Sequence, residues 1–124
     1  MNSQNYLQRR ARSFGYAFKG IGTLFLSQAH AKIHLVATLL VVGLGIFLHL
    51  VWGEWAILSM AITIVWVAEA MNTAIEFAVD LASPDHHVLA GKAKDVAAGA
   101  VLLSSFGAVA VAAFLFIPKI WHLF

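Results

Sequence analysis

Glu69, Asn72, Thr73, Glu76 and Asp80 stand inside an otherwise apolar stretch, and their spacing is the first feature that needs a chemical explanation. At 100° per residue, offsets of three, four, seven and eleven from Glu69 put all five on one helix face. The face runs roughly 16 Å from Glu69 to Asp80, at 1.5 Å per residue. Glu76 and Asp80 lie toward the polar end of the stretch, where cations and phosphates are available, and carboxylate oxygens suit Mg²⁺. Glu69 lies deeper, at mid-membrane. A carboxyl group withdrawn from water suits a general base. Asn72 lies between them and can orient a hydroxyl or a phosphate oxygen. An ionisable side chain near the centre of a spanning helix costs roughly 2.5–3.5 kcal/mol, so two glutamates on one span are expensive. A purely structural use would need basic partners within the membrane, and the apolar stretches are expected to supply none.

Lys94 and Asp95 open the next apolar stretch and complete the set. A lysine there can meet a phosphate as a point charge. Free backbone N–H groups at the start of a helix would add affinity for an anion. A base, a metal ligand and a phosphate-binding lysine at one membrane surface fit phosphoryl transfer, in which positioning and charge neutralisation supply most of the catalysis. The known nucleotide loops are missing: neither Gly20-Ile21-Gly22 nor Gly43-Leu44-Gly45 continues as a phosphate loop. His30, His34 and the adjacent pair His86-His87 carry a weaker signal, and the pair reads as part of a solvated loop. Without cysteine there is no disulfide framework, thiolate zinc site or cysteine nucleophile.

The elements that must position these residues follow from composition. Of 124 residues, 61% are hydrophobic and 11% charged, against about 25% charged in a soluble domain. The length predicts a single domain over 1–124, all α-helical and membrane-embedded, with no cleavable signal. Apolar stretches at about 33–52, 55–79 and 96–117 each reach the roughly 20 residues needed to cross hydrocarbon. Arg9, Arg10, Arg12, Lys19 and Lys32 precede the first, and Lys92 and Lys94 lie between the second and third. The positive-inside rule then places the N-terminus and the second loop in the cytoplasm and the C-terminus outside. Trp52, Trp55 and Trp121 fall at the outer interface, as an aromatic belt should. Residues 5–27 read as an amphipathic surface helix: Leu7, Phe14, Phe18, Ile21 and Phe25 line one side, opposite Arg9, Arg12 and Lys19. Gly15, Gly20 and Gly22 are candidate breaks in it. Ala100, Ser104, Ala108 and Ala112 form a small-residue stripe for close helix packing. Ser83 to Gly91 reads as a polar loop.

The run Glu69-Ala-Met-Asn72-Thr-Ala-Ile-Glu76-Phe-Ala-Val-Asp80 resembles the signature of the bacterial membrane diacylglycerol kinase and undecaprenol kinase family. Asp85-His-His87 and Gly91-Lys-Ala-Lys94-Asp95-Val-Ala-Ala-Gly-Ala-Val-Leu102 continue the match, as does Gly15-Tyr16-Ala-Phe18-Lys19-Gly20. Ile33-His34 is similar to the undecaprenol kinase branch. The resemblance covers nearly the whole chain. It implies a homotrimer of three-span protomers with a surface helix, active sites between neighbouring protomers, and residence in the bacterial cytoplasmic membrane. It implies ATP as co-substrate and Mg²⁺ as cofactor. By the same resemblance Glu69 is the general base, Glu76 a metal ligand, and Asn72, Lys94 and Asp95 the nucleotide and catalytic shell. Arg9, Tyr16, Asp85 and His87 occupy positions that contact ATP in the family. The sequence departs from the family at Gln28, where a glutamate commonly serves as second metal ligand; an amide offers one oxygen and no charge.

The expected function is therefore ATP-dependent phosphorylation of a membrane lipid alcohol, diacylglycerol or undecaprenol, at the cytoplasmic face. No nucleic-acid partner is expected. Two other functions fit parts of the pattern. Intramembrane carboxylates also serve as relays in proton-coupled transport, and Gln28 is compatible with a silent relative that only binds lipid or nucleotide.

Overall fold

The computed structural model describes residues 3–27, 29–85 and 87–123. Within them every regular element is a helix: α1 (Ser3–Ser27), α2 (Ala29–Phe47), α3 (Trp52–Ala82) and α4 (Val88–Trp121). Among the described residues, three helices are long and apolar enough to cross a membrane, starting at His30, Trp52 and Val88. At 1.5 Å per residue, α3 and α4 run roughly 46 and 51 Å, well beyond a roughly 30 Å hydrocarbon core.

α3 and α4 pack antiparallel along their lengths, and an ion pair ties each end. Lys119 Nζ lies 2.9 Å from Glu54 Oε2 at one end. Lys94 Nζ bonds to Asp80 Oδ1 at the other. The two pairs stand roughly 39 Å apart along the helices, so they bracket the hydrocarbon thickness. Glu54 has a second task. Its Oε2 accepts the Val51 N–H at 2.9 Å, which satisfies one of the orphan donors at the start of α3. The reciprocal half of a capping box is absent because valine offers no acceptor.

The apolar core gathers near the Glu54 end. Leu50, Leu58 and Phe116 are buried there, with Val41, Leu44, Trp55, Ala112 and Leu115 packed around them. The turn from α2 to α3 covers only Leu48–Val51. The Leu50 N–H reaches back to Gly45 O at 3.0 Å, and His49 takes the left-handed conformation, φ 51°, that lets the helix stop. A Cβ on Gly45 would stand 2.9 Å from both Leu50 Cδ1 and the Trp55 ring, so only glycine admits this turn without a shift.

Several boundaries differ from those expected. α2 ends at Phe47, five residues before the expected limit of the first span, because the turn begins at Leu48. Trp52 therefore belongs to α3. α4 starts at Val88, two turns before Lys94, so Lys94 and Asp95 do not open it and have no free helical N–H groups beside them. The polar loop shrinks to Ser83–His87. α1 runs through Gly15, Gly20 and Gly22 without a break, since helical hydrogen bonding continues at a glycine at a cost of only about 1 kcal/mol. Leu7, Phe14, Phe18 and Ile21 are exposed on α1, while Leu24 is buried and anchors the helix to the bundle.

Candidate functional site

The deeper half of the polar face of α3 is buried in the protein. Glu69 is 1% exposed, Asn72 6% and Thr73 5%. Glu76 is half-buried and Asp80 is exposed, so the face emerges from the protein over three turns. Its members are linked. The Thr73 hydroxyl donates to Glu69 O at 3.0 Å, and Asn72 Nδ2 donates to Glu76 Oε1 at 3.1 Å. Glu69 Oε1 and Asn72 Oδ1 are buried with no hydrogen-bond partner among the described residues. A buried acceptor without a donor costs about 1–3 kcal/mol, so two of them side by side mark a place built for something other than stability.

Glu69 is not without a basic neighbour. His34 Nε2, from α2, lies 3.7 Å from Glu69 Oε2. The expectation that no basic partner stands within the apolar stretches is corrected here. Composition counts lysine and arginine, and an imidazole on a neighbouring helix escapes that count. One turn along α2, Trp66 Nε1 donates to Thr38 Oγ1 at 3.1 Å. The Trp66 ring meets Phe25 of α1 at 5.0 Å and the His34 ring edge-on at 6.3 Å. α1, α2 and α3 thus meet at Trp66, directly before Glu69.

A second group of polar residues surrounds the α3–α4 loop. Asp80, Ser83, Asp85, His87, Gly91 and Lys94 line an open cleft. Lys94 is held by Asp80. The Ser83 hydroxyl donates to Asp85 O at 3.0 Å, which closes the loop. His87 is the N-cap of α4: its Nδ1 accepts the Leu89 N–H at 3.1 Å, which leaves only Nε2 for any ligand. Asp95 is exposed one residue past Lys94.

The structure brings together Glu69, Asn72 and Glu76, and separately Asp80, Asp85, His87 and Lys94. It does not bring Arg9 or Tyr16 to either group. Both are exposed on α1, and neither makes a hydrogen bond, ion pair or ring contact with α3 or α4 among the described residues. Lys19 Nζ lies 5.9 Å over the Tyr16 ring. Gln28 lies outside the described residues. His34, Trp66 and Asp80 are the members that sequence reasoning undervalued. Asp80 and Lys94 stand fourteen positions apart in sequence, and only the antiparallel turn joins them.

No three acidic or imidazole side chains converge on one point among the described residues. Mg²⁺ rarely needs such a cluster. It is commonly held by one or two carboxylates together with substrate phosphates, and Glu76 beside the Asn72 amide fits that division.

Residues 15–116 match the family described as prokaryotic diacylglycerol kinase. The chain is 38% identical over 112 residues to a diacylglycerol kinase of Synechocystis sp., covering 90% of this chain but only 64% of that protein, less than two thirds of its length. It is 35% identical over 117 residues to an undecaprenol kinase of Bacillus subtilis, covering 94% and 95% of the two chains. It is 31% identical over 108 residues to a diacylglycerol kinase of Escherichia coli, covering 87% and 88%. The matched segment holds both polar groups, all of α2 and α3 and most of α4, and the chain belongs to the prokaryotic diacylglycerol kinase family.

Proposed function

We propose that the chain is a lipid kinase that transfers the γ-phosphate of ATP to the hydroxyl of a long-chain membrane alcohol at the cytoplasmic surface. The observation that carries this reading is the line of polar side chains on α3, from a buried carboxylate with an unpartnered oxygen to a lysine-bearing cleft at the helix end. An apolar alcohol reaches the buried end from the bilayer, and ATP reaches the exposed end from water.

Depth supports the same division. Trp55 anchors the far end of α3 in an interfacial belt, and roughly 20 residues further on the helix leaves the hydrocarbon near Ile75. Glu69 then sits roughly 9 Å inside the cytoplasmic edge, closer to the surface than mid-membrane. Asp80 and Lys94 stand beyond it, in the headgroup layer. A primary hydroxyl near the headgroups can reach Glu69 while its chains remain in lipid. Diacylglycerol and undecaprenol both present such a hydroxyl.

In this reading Glu69 is the general base and Asn72 orients the reacting groups through its free Oδ1. Lys94 exchanges Asp80 for nucleotide phosphates. Asp95, Asp85, His87 and, from α1, Arg9 and Tyr16 complete the nucleotide shell when neighbouring copies assemble. Glu76, with Gln28, would hold Mg²⁺ together with the phosphates, and the ion would neutralise charge on them. The exposed apolar faces of the spans, such as Leu103, Phe106 and Phe114, suit lipid and two further copies in a homotrimer. The reading is tested with γ-labelled ATP and either alcohol in mixed micelles. Labelled lipid phosphate is the expected product, and no label in any long-chain alcohol refutes it.

A further inference from the structure

A general base must be rid of its proton after every turnover, and Glu69 is badly placed to lose one. Its side chain is 2% exposed. Its Oε1 has no hydrogen-bond partner among the described residues. Along its own helix the next acidic group is Glu76, two turns away, which accepts from Asn72 Nδ2. From α4, the nearest cation in the polar groups is Lys94, which is held by Asp80. From α1, the group that reaches this level among the described residues is the uncharged ring of Phe25, on Trp66. From α2 comes His34, the one titratable group within ion-pair range of Glu69 among the described residues, with a side chain 17% exposed.

We propose that His34 is a positioning residue and the proton partner of Glu69. This rests on the kinase reading above. The imidazole engages Oε2, which leaves Oε1 for the lipid hydroxyl. In the transfer, the lipid O–H bond breaks and its proton goes to Glu69. The lipid oxygen bonds to the γ-phosphorus, and the bond from that phosphorus to the bridging oxygen breaks, its electron pair staying on ADP. Glu69 then holds one proton too many for the next cycle. His34 Nε2 accepts it, and the ring returns to neutral by giving the proton to water that enters from the cytoplasmic surface once the products leave. A small side-chain rotation closes 3.7 Å to the roughly 3 Å of a hydrogen bond. Histidine suits the task because it gains and loses a proton readily near neutral pH.

The surrounding contacts look made for this register. α2 touches α3 through two polar rungs, Thr38 to Trp66 and His34 to Glu69. The rungs are four residues apart on α2 and three on α3, which is one turn of two antiparallel helices. The first rung is a true hydrogen bond and holds the helices in place; the second is longer and retains freedom to close. His34 also lines an apolar cavity of about 160 Å³ between α2, α3 and α4.

The test compares wild type, His34→Gln and His34→Ala as full-length purified protein, with γ-labelled ATP and diacylglycerol or undecaprenol in mixed micelles. His34→Gln should lower kcat by on the order of 100-fold, the size of a lost proton-transfer partner. KM for ATP and for lipid should stay within about twofold, because Glu69 and Lys94 are untouched. The pH dependence of kcat should lose one limb. Added imidazole should restore His34→Ala several-fold, since the deleted ring leaves room, and should leave His34→Gln unchanged. Wild-type kcat in both variants overturns the proposal. So does a fall in kcat with an unaltered pH profile and no response to imidazole, which would make His34 a packing residue. If neither variant assembles, the titration of the His34 ring nitrogens by NMR in wild type and Glu69→Gln decides: the curve must move, and superimposable curves end the idea. An inactive wild type brings down the kinase reading and this inference together; an active wild type with unaffected variants removes this inference alone.

Discussion

Within the polar face, burial separates residues that look alike in the sequence. Glu69 and Glu76 are seven positions apart on one face, yet one is sealed in the protein and the other half-open. Glu69→Gln should reduce turnover by roughly 10²–10⁴-fold while ATP binding persists, because the amide keeps volume and polarity but accepts no proton. Single-turnover assays alongside nucleotide binding check this, and retained turnover means that another group is the base. Lys94→Ala should act differently. It frees Asp80 and removes a cation from the cleft, so the loss should fall mainly on KM for ATP. Its effect on folding should be small, since an exposed ion pair contributes about 0.2–1 kcal/mol. At Gln28 an amide stands where the family resemblance implies a carboxylate. Gln28→Glu should lower the Mg²⁺ concentration for half-maximal activity, and coincident Mg²⁺ titrations of the two proteins rule that out.

Single contacts govern how the helices meet. α2 has few partners, so the Trp66–Thr38 hydrogen bond carries much of its alignment with α3. Thr38→Val keeps the shape and removes the acceptor, at an expected cost of about 1 kcal/mol in a membrane protein. It should also lower kcat, because the second rung at His34 and Glu69 loses its guide. Unfolding in mixed detergent and turnover on one preparation test both effects. At the other end, Gly45→Val would press a branched side chain into Leu50 and Trp55, and the tight turn should open at a cost of 1–3 kcal/mol. α1 is the contrasting case. Among the described residues Leu24 and Phe25 help tie it to the bundle, while its basic side and exposed aromatic stripe stay available to a headgroup layer.

For the molecule as a whole, two ion pairs about a membrane's thickness apart set α3 and α4 in register. The natural absence of cysteine makes orientation easy to test. A single cysteine at Ser83 should react with an impermeant thiol reagent only from the cytoplasmic side. One at Gly53 should react only from the other side. Reversed labelling would put the cleft on the face without ATP and overturn the kinase reading.

The sequence alone determined the membrane-spanning class, because about 20 consecutive apolar residues have few other stable environments. It also determined the polar face of α3, since helix geometry converts offsets of three, four, seven and eleven into a single stripe. The positions of Glu69, Asn72 and Glu76 were legible for that reason. What depends on separate segments meeting was not. The sequence marks His34 only by its likeness to the undecaprenol kinase branch and assigns it no partner, and its pairing with Glu69 exists only once α2 lies antiparallel to α3. Lys94 reads as free until the short loop turns α4 back along α3 and delivers it to Asp80. The N-terminal turn of α4 lies at His87 rather than Lys94 because a side-chain cap, not hydropathy, determines where a helix starts. Periodicity acts within one helix; partners across helices are chosen by packing register, which only the tertiary structure supplies.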